Sequence, residues 1–298
     1  MFLSPRRVFW FVVPALLLLT TTVFAEEKKN LSSSVTLELG RSSSDTDEAY
    51  LDLDLGLDKG MHLRAMLGRS QQTVDNQLQE SNAWLLGVSS DYSARFVIAF
   101  DYEYWGDKSS LETWTRRIKL GTNTQNWFVQ LRYEDRTSQY PSSTTTTGGF
   151  PGSRSVTVSR TAKVDSTGTG LSLSYYGLFP VALTVSYISY SYEQDPSVLK
   201  NEQGWLSRTS SSNTELPSSL ESWRRSVDLS YQLNWGALGV SGSQGESVVD
   251  GSLASNVSAY LIWNLRDDWS LTLTGGQSYT DTSSDTVSYG RAALSHRW

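Results

Sequence analysis

"AYLDLDLGLDKGMHLRAML", residues 49–67, alternates leucine with aspartate, turns at Asp58-Lys59-Gly60, and alternates again with His62 and Arg64 in the polar slots. A period of two is the pattern of a strand whose faces meet different surroundings. Leu51, Leu53, Leu55 and Leu57 fall on one face, Asp52 and Asp54 on the other. With Gly60 in the left-handed conformation of a three-residue turn, Leu57 pairs with Met61. Counting outward, Leu55 meets Leu63, Leu53 meets Ala65 and Leu51 meets Leu67. The same count sets Asp54 opposite Arg64 and predicts a cross-strand ion pair. A two-residue turn would set apolar against polar side chains, which burial of either face forbids. The leucine face has two possible destinations, the core of a soluble sandwich or the lipid around a closed barrel. The rest of the chain chooses between them.

The N-terminus, "MFLSPRRVFWFVVPALLLLTTTVFAEEKK", has Arg6 and Arg7, then an apolar stretch from Val8 to Leu19, then Val23-Phe24-Ala25 before Glu26-Glu27-Lys28-Lys29. That order is expected of a cleaved secretory signal peptide over residues 1–25, leaving 26–298 as the folded domain. Cleavage leaves 273 residues (298 − 25) and removes two basic groups, so 23 basic stand against 31 acidic residues, a formal charge of −8. At the other end Ala292, Leu294, His296 and Trp298 share one face of an alternating strand on which the sequence stops. A terminal strand closing on Trp298 resembles the assembly signal of Gram-negative outer-membrane barrels, with His296 departing from the apolar residue usual at that slot.

Between the ends there is no apolar run of membrane-helix length, and the mean hydropathy is −0.35. A barrel escapes such averages because only every second strand residue faces lipid. The absence of cysteine excludes thiolate metal sites and thiol chemistry and fits an exported protein held by sheet closure rather than disulfides. The acidic excess argues against nucleic acid.

Fourteen alternating segments can be counted from "SSVTLELGRSS" at residue 33 to the strand ending at Trp298, an even number as bacterial single-chain barrels require, with 12 or 16 as alternatives. Short turns at Asp58–Gly60, Asp91–Ala94, Asn123–Gln125, Gly177–Pro180, Asn234–Ala237 and Leu265–Asp268 alternate with connections of irregular length. Two of the latter, Ser138–Arg160 and Asp195–Glu221, read as long outer loops rich in Ser, Thr, Pro and Gly. Short turns on the periplasmic rim and longer loops outside is the barrel asymmetry. Running the first strand outward puts Trp127, Trp235, Trp263, Trp269 and Trp298 at the periplasmic rim, and Trp84, Trp105, Trp114, Trp223, Tyr50, Tyr104 and Tyr289 at the outer rim. Rings gathered at two levels are expected of membrane girdles; strand propensity explains their frequency but not that placement. The fold expected is all-β, a single antiparallel up-and-down transmembrane barrel.

The mature chain thus resembles Gram-negative outer-membrane β-barrels, and at fourteen strands the monomeric porins of that size. The resemblance implies the outer membrane, a monomer, contact with outer-membrane lipid and lipopolysaccharide, and assembly by the barrel-assembly machinery; it implies no cofactor. With the leucines outward, the inward charges are Asp52, Asp54, Arg64, Asp101, Glu103, Arg117, Lys119, Arg132, Glu134, Arg224 and Asp228, joined by Glu38 and His62. Isolated charges in a dry interior are too costly, so these groups must be hydrated or paired. Ser172, Ser174, Thr184, Ser230, Ser241 and Thr272 leave space on later strands. A channel for passive diffusion of small hydrophilic solutes or ions is the leading expectation. The alternatives are a closed barrel acting through its long loops and the outer-membrane component of an export system. No enzyme is expected: His62 and His296 are the only histidines, and His62 falls near the periplasmic end, away from where catalytic barrels work. Asp45, Asp47 and Glu48, and Asp281 with Asp285, match no calcium motif and read as solvated loop charges, so no metal is expected.

Overall fold

The computed structural model describes residues 33–57, 60–74, 77–91, 94–107, 111–146, 156–193, 220–248, 251–282 and 286–298. The expected signal peptide lies outside them. The described residues form fourteen strands: β1 (Ser34–Ser42), β2 (Thr46–Leu57), β3 (Met61–Val74), β4 (Gln77–Ser90), β5 (Phe96–Asp107), β6 (Leu111–Asn123), β7 (Trp127–Thr146), β8 (Val156–Leu178), β9 (Val181–Tyr192), β10 (Glu221–Leu233), β11 (Gly236–Ser247), β12 (Leu253–Asn264), β13 (Trp269–Thr280) and β14 (Thr286–Arg297). Each pairs antiparallel with its neighbours in sequence, and β1 with β14, so the sheet closes on itself. Closure satisfies the strand edges within the barrel wall, which a solvent unable to hydrogen-bond demands.

The β2–β3 hairpin has the register that its alternation requires: Leu57 opposite Met61, Leu55 opposite Leu63 and Asp54 opposite Arg64. Gly60 has φ 70°, the left-handed turn position. At the seam Leu37 meets Leu294 and Val35 meets His296, so the apolar face of the first strand continues into the last. Ser33 donates its backbone N–H to the carbonyl of Trp298 at 3.0 Å and accepts in return from the Trp298 N–H at 3.1 Å. Both ends of the barrel therefore share one rim, which also carries the short turns.

The exterior is greasy. Phe96 is 67% exposed, Ile98 and Leu67 60% and Leu131 58%, and the same outward row on other strands holds Leu, Ile, Val and Phe. Rings bound this belt. At the terminal rim Trp127 lies 4.3 Å from Tyr175, and His296 stacks between Trp269 (4.5 Å) and Trp298 (5.7 Å). That stacking explains how a histidine occupies an outward slot beside the last residue. At the far rim Trp84, Tyr104 and Trp114 form a row with centroid spacings of 5.9 and 5.4 Å.

Three rings expected in the outer girdle lie elsewhere. Tyr50, Trp105 and Tyr289 are buried on inward positions, because each shares strand parity with the inward charges Asp52, Glu103 and Arg291. Level along a strand and face of the sheet are separate coordinates, and counting by level alone misplaced them.

The stretch Ser138–Arg160, expected as a loop, is largely strand. β7 continues to Thr146 and β8 begins at Val156, paired from Gln139–Lys163 to Thr146–Val156. β6 pairs with β7 only as far as Gln139 and β9 with β8 only from Ser166, so beyond the rim this hairpin is a two-stranded ribbon. Its threonines and valines favour extended backbone whatever their exposure. The second expected loop, Asp195–Glu221, lies outside the described residues apart from Leu220 and Glu221.

Candidate functional site: a charged and hydroxyl-lined interior

The sequence brings acid and base together through register. On β5 the inward residues are Asp101 and Glu103; on β6, Arg117 and Lys119; on β7, Arg132, Glu134 and Arg136. Arg117 stands opposite Asp101 on one side and Glu134 on the other. Its guanidinium donates to Glu134 at 2.6 Å and to Glu103 at 3.0 Å and lies 3.6 Å from Asp101. Lys119 reaches Asp101 at 3.3 Å. Glu134 also accepts from Arg132 Nε at 2.6 Å, from Arg136 at 3.3 Å and from the Tyr190 hydroxyl at 3.0 Å. Glu134 is 0% and Arg117 1% exposed, so these charges are dry and survive by mutual pairing. Arg136, absent from the sequence-derived set, sits 4.4 Å over the Tyr190 ring and donates to its hydroxyl at 2.9 Å. On β10, Arg224 is bound at 2.8 Å by Glu221, also absent from that set.

A second group lines the wall from β14 through β1 to β3. Arg64 donates to Asp52 at 2.6 Å, and Asp54 is held by His62 Nδ1 at 2.8 Å. The expected ion pair is thus corrected to the diagonal: Asp54 and Arg64 are register partners, yet the long guanidinium extends to the neighbouring carboxylate and leaves Asp54 to the histidine. Arg291 binds Glu48 at 3.0 Å and Glu38 at 3.4 Å. Glu48 therefore belongs to the interior rather than to a solvated loop. Asp45 and Asp47 remain at the rim with Arg41, at 3.3 and 3.6 Å; Asp281 accepts from the Leu253 N–H at 2.8 Å. Asp285 lies outside the described residues, among which no cluster of three or more His, Cys, Asp or Glu is arranged to hold a metal ion.

From β8 to β13 the inner face changes character. Apart from Glu221, Arg224 and Asp228 of β10, cross-strand hydroxyl pairs replace charges: Ser174 with Thr184 at 2.9 Å, Ser186 with Ser226 at 2.6 Å, Ser241 with Ser258 at 2.6 Å. Asp228 accepts from the Tyr260 hydroxyl at 3.1 Å. Short side chains that satisfy one another leave room. Here lies a cavity of about 390 Å³, bounded by Lys119, Arg132 and Arg224 on its charged side and by Ser172, Ser186 and Asp228 among the rest.

Four inward tyrosines lie against the wall instead of projecting across the lumen. Tyr50, Tyr190, Tyr260 and Tyr289 each stand directly opposite a glycine, respectively Gly68, Gly168, Gly239 and Gly276. A Cβ on those glycines would come within 2.1–2.6 Å of the ring. The ring fills the glycine's missing side chain, an aromatic–glycine pairing that also supports the sheet. A sequence signal for it existed, namely Tyr and Gly on inward parity in neighbouring strands, but it becomes readable only once the register is known.

A closed antiparallel barrel with an apolar exterior, aromatic rims and a polar interior defines a transmembrane β-barrel. No family model matches the chain, and no curated protein matches it. Among solved structures it is similar to the CymD monoaromatic hydrocarbon channel, with TM-score 0.49 and 8% identity over 94% of this chain and 90% of that one. OmpT, an outer membrane protein of Vibrio cholerae, matches with TM-score 0.44 and 10% identity over 92% and 99%, and the NanC porin with TM-score 0.43 and 9% identity over 88% and 98%. These likenesses are of fold.

Proposed function

We propose that the protein is an outer-membrane channel for passive diffusion of small hydrophilic solutes or ions. The observation that carries this reading is the polar cavity of about 390 Å³ between the ion-pair cluster and the hydroxyl-paired wall. A purely structural barrel would gain packing by filling that space with larger side chains. Lys119, Arg132 and Arg224 on one side of that cavity and Asp228 among its other lining residues supply charge to attract and order passing ions. In this reading the rim holding both chain ends faces the periplasm, the ribbon of β7 and β8 stands outside, and the protein works as a monomer. The exterior meets outer-membrane lipid and lipopolysaccharide, and Trp298 serves recognition by the barrel-assembly machinery. Planar-bilayer recording tests it: discrete conductance steps are expected from the purified barrel. A preparation that is folded, by its resistance to detergent until boiled, and that never rises above baseline overturns the proposal.

The second reading is a closed barrel that docks a partner through its exterior. It draws on the projecting ribbon, and it requires that removal of the ribbon abolish activity while conductance is absent throughout.

A further inference from the structure

Just inside the outer mouth, five buried side chains meet: Tyr50 of β2, Ala83 of β4, Trp105 of β5, Val164 of β8, and Leu220 immediately before β10. Met66, Tyr192 and Val248 pack around them. In a ring of fourteen strands β2 to β5 lie opposite β9 to β12, so the cluster joins facing walls across the lumen. We infer that this apolar layer is the gate of the channel and that Leu220 is its moving part. The inference rests on the channel reading above.

Its position supports the assignment. Trp105 is one inward step from Glu103, Tyr192 one from Tyr190, and Leu220 is next to Glu221, so the apolar layer lies directly over the charged one. That stacking accounts for the dryness of Glu103, Arg117 and Glu134, whose exposure is 2% or less. In the same register row the hydroxyls of Thr113 and Ser138 are paired with each other at 3.1 Å, so an ion or polar solute arriving from outside finds few groups free to replace its hydration shell, and a narrow, mostly apolar constriction of this kind resists wetting. The Tyr192 hydroxyl, one of the few polar atoms in the layer, is occupied by the Glu221 carbonyl at 2.6 Å.

The members of the cluster differ in how their backbone is held. Tyr50 is laddered to Glu38 and to Gly68, and Trp105 to Ala83 and to Thr113, so the backbone of each is held by pairing on both sides. Leu220 lies outside the strands, tied by a backbone bond from the Val248 N–H to its carbonyl at 2.8 Å. Rotation about that anchor would withdraw the leucine from the cluster and admit water to the charged layer below.

The test uses the full barrel in planar bilayers, with Leu220→Asn, Leu220→Met and Trp105→Ala. Leu220→Asn and Trp105→Ala are expected to raise the fraction of time spent open severalfold, while Leu220→Met, apolar and of similar volume, behaves as the parent. Trp105→Ala carries the measurement should Leu220→Asn fail to fold. Because the chain has no cysteine, Ser186→Cys in the cavity wall reports the side from which water enters. A negatively charged methanethiosulfonate added to the outer chamber should modify it severalfold faster with Leu220→Asn than without, and at an unchanged rate from the periplasmic chamber. Equal open fractions and equal outer-side rates in the parent and both gate variants overturn the gate and leave the channel standing. Folded proteins that never conduct, parent and variants alike, overturn the channel itself.

Discussion

At Glu134 one carboxylate accepts from the guanidinium groups of Arg117, Arg132 and Arg136 and from the hydroxyl of Tyr190. Removing its charge takes a shared acceptor from three cations, of which Arg117 and Arg136 are buried where little water can screen them. Glu134→Gln is expected to lower folding stability by about 3–5 kcal/mol, measured by urea titration in lipid vesicles. Asp54 sits in a wetter place, with 36% of its side chain exposed beside His62, and Asp54→Ala should cost at most about 1 kcal/mol. Its outward neighbour makes the contrast. Leu53→Arg sets a charge against hydrocarbon and should cost about 2–4 kcal/mol near mid-depth. Equal losses from Asp54→Ala and Leu53→Arg in the same titration would reverse the assignment of faces. Arg64 shows why side-chain length matters at this scale: its backbone faces Asp54, but its guanidinium binds Asp52.

Strands here do two jobs at once, one per face, and the ribbon of β7 and β8 departs from that rule. Below Gln139 and Ser166 both strands are part of the wall; beyond, they pair only with each other. Since no barrel strand depends on that portion for hydrogen bonds, replacing residues 141–161 by a short turn is expected to leave the barrel folded. The check is an unchanged mobility difference between boiled and unboiled samples on a detergent gel. Conversion to a single, heat-independent band would mean that the ribbon helps to close the sheet. A composition rich in Ser, Thr, Pro and Gly points to a loop at Ser138–Arg160, yet threonine and valine also suit extended backbone, and the stretch is largely strand.

For the molecule as a whole, the decisive relation is between its greasy outside and its wet or ion-paired inside. Spin labels at Leu53, Ile98 and Leu131, on three different outward strands, should all report contact with acyl chains, by relaxation enhancement from lipid-soluble oxygen. Shelter of any of them by packed protein would remove the basis of the membrane assignment. The inside is layered along its axis: an apolar cluster beneath the outer mouth, a dry ion-pair cluster below it, and the hydroxyl-paired cavity alongside. In the proposed channel, solute passage depends on the uppermost layer, and the charges beneath it change their hydration when that layer opens.

Much of this was legible from residues alone. Alternation in residues 49–67 determined the β2–β3 register and the two faces, because a slip of one residue would have put every leucine in water or every aspartate in lipid. Strand number followed from the same period repeated along the chain, and the inward parity of Asp101, Glu103, Arg117, Lys119, Arg132 and Glu134 followed with it. Only the closed structure decided which of those charges share partners, that Arg136, Glu221, Glu48 and Arg291 join them, and that Tyr50, Trp105 and Leu220 meet across the lumen. The physical reason is range. Periodicity records the solvent that each side chain faces, a property of its own strand, whereas contacts across a barrel depend on closure, strand stagger and side-chain reach, which no local stretch of sequence encodes.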